Sequence, residues 1–200
     1  MFDLLIIGGG VAGVSCALVL GSAKNKPFMG EKKIGIIAHQ KTSSLQNAVF
    51  NNAYGIKPGT LGSLLLTESI ENLHHLYPHI IQIEHEKVIE IKGHYNNFEI
   101  ITNKNIYQSK NILVAIGYSN TFDIKGLMPF VIAHQKAEPQ KLRIQLQNLD
   151  HLVSPGIYVA GTLAGWRSQL AIAAGSGAAV ATDLLTTWNQ GNPTQSHDKI

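Results

Sequence analysis

Six residues near the N-terminus constrain this chain more than any others: Gly8-Gly9-Gly10-Val11-Ala12-Gly13. They fit G-x-G-x-x-G, directly after an apolar run from Asp3 to Ile7 and directly before a helical pattern from Val11 to Ala23. A strand, a glycine turn and a helix in that order make a phosphate cradle. Gly8 permits the sharp turn, Gly10 lets a pyrophosphate approach the backbone, and Gly13 lets helix and strand pack closely. Free amides around Val11 and Ala12, with the positive end of the helix dipole, would receive the phosphates. The plainer alternative is a glycine turn that serves packing alone.

The same stretch admits a membrane interpretation, which its details disfavour. Leu4 to Ala23 runs 20 residues without a charge, long enough to span a bilayer, and ends in small residues as a secretory signal does. Yet Asp3 stands where a signal peptide wants Lys or Arg. Three consecutive glycines are more simply a turn than part of a short span. A chain with no membrane segment, soluble and cytoplasmic, is expected.

Composition narrows the classes further. The chain is 44% hydrophobic, enough for a substantial core, and carries a formal charge of only +3 with no Lys/Arg cluster. No nucleic-acid partner is expected. The single cysteine, Cys16, excludes an internal disulfide framework, a C-x-x-C pair and a cysteine-rich zinc site. It sits among small residues on the first helix and is read as packing.

The second strand, Lys33 to Ile37, is in place, but the acid that grips an adenosine ribose about 20 residues past the glycines is missing. Ala38 stands there, followed by His39 and Gln40, which could hydrogen-bond a ribose hydroxyl without a carboxylate's charge. Asn47 to Pro58 is irregular in composition. Leu61, Leu64, Leu65, Ile70, Leu73 and Leu76 then recur at helical spacing until Pro78. Ile80 to Lys92, Phe98 to Thr102 and Ile106 to Gln108 predict an antiparallel meander. Asn111 to Gly117 predicts a buried parallel strand ending in glycine. Histidines 74, 75 and 79 flank a helix end without a carboxylate or thiol partner, so no metal site is expected.

The last third repeats the opening. Ser154 to Gly161 is a turn, a short apolar strand and a glycine. Gln169 to Leu185 is a helix rich in Ala and Gly, which implies close approach of a neighbouring backbone or a flat ligand, or tight helix-on-sheet packing.

Taken in order, G-G-G-V-A-G, V-A-I-G (Val114 to Gly117) and G-I-Y-V-A-G-T followed by Q-L-A-I-A-A-G-S-G-A-A resemble the FAD half of thioredoxin-reductase-like pyridine nucleotide-disulfide oxidoreductases. Asn47-Ala48, Tyr54 to Pro58 and Leu64-Leu65 also look like that group's loop and helix after the second strand. The resemblance implies an α/β, Rossmann-like FAD/NAD(P)-binding three-layer fold with a parallel sheet and a small antiparallel meander. It implies FAD as cofactor, with Gly8, Gly10 and Gly13 on the pyrophosphate and Gly117 against the dinucleotide. Gly161 matches the glycine of a ribitol-binding pair, but Thr162 replaces its Asp. Gln169 and Leu170 match amides that face the flavin, and Arg167 lies one position from the family's Arg.

The largest departure is internal. The two-domain members insert a nicotinamide-binding domain, with its own glycine fingerprint and C-x-x-C, after the strand ending at Gly117. Here Tyr118 to Ser154, 37 residues, is too short for that and holds no second fingerprint. It is read as a connecting strand or two. Residues 1–188 are expected to form a single FAD-binding domain, with 189–200 a flexible tail. The expected function is a flavin-dependent oxidoreductase working with an unidentified donor and small-molecule substrate. A homodimer or partner redox protein would cover the exposed flavin face. A non-enzymatic or degenerate FAD-binding module and an NAD(P)-binding protein are the alternatives. No side chain stands out as a catalytic acid, base or nucleophile.

Overall fold

The computed structural model describes residues 1–39, 45–119 and 121–197. The chain opens with β1 (Leu4–Ile7), α1 (Val11–Ser22) and β2 (Ile34–Ala38). A two-residue pair, β3 (Val49–Phe50) and β4 (Thr60–Leu61), precedes α2 (Gly62–Leu76) and β5 (Ile81–Glu84). The meander is β6 (Val88–His94), β7 (Asn97–Thr102) and β8 (Ile106–Ser109), followed by β9 (Ile112–Val114). A hairpin of β10 (Val131–Ala133) and β11 (Ile144–Leu146) leads to β12 (Leu152–Ser154), β13 (Ile157–Val159) and α3 (Leu170–Trp188). Beyond α3 the chain turns back, with the Thr194 amide donating to Thr186 Oγ1 and Ser22 Oγ to Ser196 Oγ.

The main sheet has the order β12-β13-β9-β1-β2-β5, parallel except for β12. β1 pairs Leu5 with both Gly35 and Ile112, so it is hydrogen-bonded on both edges and buried at all four residues. That is why it reads as an unbroken apolar run rather than an alternating one. Alternation along the strands nevertheless sorts side chains into two cores. Leu4, Ile6, Ile34, Ile36 and Leu113 face α1, α3 and Leu73 of α2. Leu5, Ile7, Ile37, Ile112 and Val114 face Val88, Ile91, Phe98 and Ile100 of the meander, with Leu127 and Leu146. The result is three layers: helices, parallel sheet, antiparallel meander.

The expected run from Ile80 to Lys92 divides in two. β5 joins the parallel sheet beside β2, whereas β6 begins the meander. The break falls at His85, whose φ of 59° is left-handed, and is fixed by Glu86. The Glu86 carboxylate accepts hydrogen bonds from Thr102 Oγ1 (2.6 Å), Asn105 Nδ2 (2.7 Å) and the Tyr107 hydroxyl (2.8 Å). No Gly or Pro marks the division, so the residue pattern alone shows one strand.

The small residues of α3 meet a helix rather than the sheet. A Cβ on Gly177 would overlap the Ala12 carbonyl of α1, and Ser15 Oγ donates to the Ala174 carbonyl at 2.8 Å. α3 is long and apolar enough to cross a membrane by length and composition. In this fold its Val180, Ala181, Leu184 and Leu185 are buried in the helical core.

Candidate functional site

The C-terminal ends of β1, β9 and β13 converge on one edge of the sheet, the position where open α/β sheets bind ligands. Gly8 leaves β1 with φ 119°, and a Cβ there would lie 2.5 Å from the Ala115 carbonyl oxygen. A Cβ on Gly13 would overlap the Gly8 carbonyl, which fixes helix and strand at close range. Gly10 caps α1 in extended conformation, with no side-chain cap and no acid in the first turn. The amides of Val11, Ala12 and Gly13 therefore have no helical partner and no competing carboxylate.

The two glycine motifs meet through Ala12. It is buried against Gly161, where a Cβ would lie 3.2 Å from its own, and against Gly177 of α3. Gly161 starts a single 3-10 turn, Gly161–Ala164, and its N–H donates to the buried Ser176 Oγ at 2.8 Å. Thr162 stands half-buried in that turn; its carbonyl accepts from the Gly165 N–H and from His134 Nε2.

From Gly9 and Gly10 a cleft of about 240 Å³ runs along Val11, Val14 and Leu18 of α1 to Leu65 and Leu66 of α2 and Leu170, Ala171 and Ala174 of α3. Tyr54 and Ile56 form part of its rim. Its lining includes no Asp, Glu, Lys, Arg or His among the described residues. The volume lies below the roughly 300–1,000 Å³ of a site for a whole drug-sized ligand. It suits a flat apolar ring, with the rest of a dinucleotide on the open turn. α3 also starts without a side-chain cap, so its first amides open on the same cleft.

Ala38 packs on Gly9, where a Cβ would come within 2.8 Å of its own, and His39 follows half-buried. Gln40 lies outside the described residues. Gly117 is exposed, with nothing within 4 Å of a Cβ built on it. Gln169 is the N-cap of α3, and Arg167 is exposed two residues before it. Neither Arg167 nor Gln169 lines the cleft, whereas Leu170 does. The described residues contain no group of three or more His, Cys, Asp or Glu able to hold a metal. Cys16 is fully buried, and burial pushes its thiol far above the ordinary range, so it is inert.

The residues that grip the Gly161 turn were not visible in the sequence. His134 Nδ1 accepts the Lys136 N–H at 3.1 Å, so Nε2 carries the proton and donates to the Thr162 carbonyl. Asn148 Nδ2 donates to the Ala164 carbonyl, and Gln145 fills the space that Gly165 leaves. All three belong to the hairpin or the residues beside it. Their only sequence signal was the place of the segment, between the two halves of the sheet.

A profile of the family described as pyridine nucleotide-disulphide oxidoreductase matches residues 2–160. The chain belongs to the pyridine nucleotide-disulphide oxidoreductases. Solved structures carry the same fold. A thioredoxin reductase from Gloeobacter violaceus matches at TM-score 0.72 and 14% identity, covering 100% of this chain and 98% of that one. An oxidoreductase from Agrobacterium tumefaciens matches at TM-score 0.71 and 14% identity, covering 93% and 98%. A ferredoxin-flavin thioredoxin reductase from Clostridium acetobutylicum matches at 0.69 and 18%, covering 94% and 98%. A search of curated proteins found no match. Within this family the chain is a single-domain relative: the segment between β9 and β12 is a hairpin and turns, and it holds neither a second glycine fingerprint nor a C-x-x-C.

Proposed function

We propose that the protein binds FAD at the glycine turn and acts as a flavin-dependent oxidoreductase that exchanges electrons with a separate donor or partner. The observation that carries this reading is a cleft that joins Gly9–Gly10 to Leu170–Ala171–Ala174 and so takes in the starts of two helices without side-chain caps. Diphosphate suits the α1 end, where amides and dipole favour an anion. The apolar walls suit an aromatic ring. When bound, the flavin supplies the redox chemistry, and the protein supplies orientation and electrostatics.

In this reading Gly10, Val11, Ala12 and Gly13 present amides to the phosphates. Gly8 and Gly161 let the backbone turn beside them, and Gly117 leaves open space at the strand end. Thr162 offers a hydroxyl toward the ribitol, while His39 and Gln40 stand where a ribose would need partners. Gln169 and Leu170 bring the α3 amides to the ring, and Arg167 lies outside the cleft as a surface cation. With Ala38 and Thr162 in place of two acids, retention is looser than in relatives that keep both.

A degenerate FAD-binding module is the second reading, favoured by a cleft in which Tyr54 is the one titratable group among the described lining residues. Either way, an apolar cleft with exposed Tyr54, Leu64 and Ile172 nearby suits cover by a second copy or a redox protein. The ferredoxin-flavin neighbour shares this fold, and a protein donor is compatible with a chain that has no second nucleotide-binding fingerprint. Purification followed by an absorption spectrum, before and after incubation with FAD or NAD, is the test. A bound flavin spectrum supports the reading; retention of NAD with no affinity for FAD would replace it with a nicotinamide-binding protein.

A further inference from the structure

The hairpin that occupies the place between the sheet halves does more than brace the Gly161 turn. Tyr118, immediately after the exposed Gly117, has the His134 ring edge-on with centroids 5.4 Å apart. The Arg143 guanidinium carbon lies 4.9 Å from the centre of the same Tyr118 ring. The three side chains are locked by backbone pairing: the His134 N–H donates to the Arg143 carbonyl, and the Ile144 N–H to the Tyr118 carbonyl. His134 is itself fixed at both ring nitrogens. The platform is therefore rigid before any ligand arrives.

Beyond the Tyr118 ring, the Arg143 side chain has no partner among the described residues. It forms no ion pair or side-chain hydrogen bond among the described residues, and its Nε is buried without a partner. Arg143 as a whole is half-buried, so an oxyanion would meet its terminal amino groups rather than the sealed Nε. The one carboxylate on the hairpin, Glu138, is paired with Lys141 at 3.2 Å and not with Arg143. Lys136, a further hairpin cation beside Lys141, lies over the Trp166 ring at 4.3 Å and adds positive potential on the same element. Gly117 leaves open space beside the platform at the ligand-binding edge of the sheet.

We propose that Arg143, laid on Tyr118 beside Gly117, anchors an anion subsite that takes the carboxylate or phosphate of a small redox substrate. The subsite rests on the FAD reading only for the word redox; its anion chemistry stands on the hairpin alone. Planar, forked donors on an aromatic support select an oxyanion over chloride.

Calorimetric titration with inorganic phosphate, and separately with benzoate, at fixed ionic strength in chloride, tests it on protein with and without added FAD. Saturable binding of at least one probe is expected in both states. Arg143→Gln weakens it by about tenfold or more, and Arg143→Lys by less, because charge remains while the fork is lost. Equal affinity in native protein and either variant overturns the subsite, and so does the lack of saturable binding by both probes. A probe that binds only without FAD competes for the cofactor's phosphate cradle, which also overturns it. Should Arg143→Gln fail to fold, the Lys variant decides by the same criterion. Failure to take up FAD would sink the functional reading while leaving the titration without FAD to judge the subsite.

Discussion

Gly13 and Gly117 are both glycines of the proposed cofactor cradle, but of the two the fold itself requires only Gly13. A side chain at Gly13 collides with the Gly8 carbonyl, whereas one at Gly117 meets nothing within 4 Å. The informative substitution is at Gly10, whose φ of −80° and ψ of −177° suit any residue. Gly10→Val is therefore expected to fold while losing FAD, because the branched side chain stands in the path of the pyrophosphate. Circular dichroism with flavin content after reconstitution checks this; a folded variant with normal FAD content refutes the assignment of the turn. The missing acids give the converse experiment. Ala38→Glu and Thr162→Asp should each tighten FAD by up to about 1–2 kcal/mol, the lower part of the roughly 1.5–3 kcal/mol of a hydrogen bond to a charged group. Fluorescence titration reads it, and two neutral or harmful changes would mean that other groups already fill those roles.

At the scale of elements, the residues between β5 and β6 are clasped to β7 and β8 of the meander through Glu86. Burial alone would raise its pKa, but hydrogen bonds from Thr102, Tyr107 and Asn105 outweigh that and hold it below the ordinary 4.5. A carboxylate with a depressed folded pKa contributes stability above its unfolded pKa and loses it as pH falls through the folded one. Glu86→Gln should thus lower the melting temperature at neutral pH, and the gap from the native protein should close as pH drops below 4.5. A constant gap across that range would show that Glu86 acts through shape rather than charge. β1, α1, β9 and α3 were legible in the sequence because each is apolar with glycine punctuation, and the glycine turn between β1 and α1 came with them. The division at His85 was not legible, since a side-chain clasp breaks the strand without Gly or Pro. The hairpin was equally silent: His134 acts on Thr162 across 28 residues by a hydrogen bond, and no periodicity reports such a contact. The glycines of α3 were visible, but Gly177 serves the α1 backbone, a choice that only the packing decides.

For the whole molecule, the question is where electrons enter. Efficient hydride transfer requires the nicotinamide C4 to sit within a few ångströms of the flavin N5, held by contacts along the rest of the donor. This chain has one glycine fingerprint, and it belongs to the proposed FAD cradle. The described residues from Tyr118 to Ser154 build a hairpin and an edge strand, not a second nucleotide-binding unit. Only two arginines are present, Arg143 and Arg167, and neither lines the cleft. An anion held at Arg143 would be fixed at one point only, which raises local concentration without orienting a ring. FAD-loaded protein should therefore be reduced slowly and without saturation by NADH or NADPH, and rapidly by a partner reductase or a small chemical reductant. Anaerobic stopped-flow mixing, following the bleaching of the flavin absorbance, measures it. Fast, saturable bleaching by either nicotinamide would show that the single domain orients both cofactors, and the chain would then be a self-sufficient nicotinamide-dependent reductase. Slow bleaching by nicotinamide with fast bleaching by a protein donor would place the second site on the partner, over the apolar cleft between α1, α2 and α3.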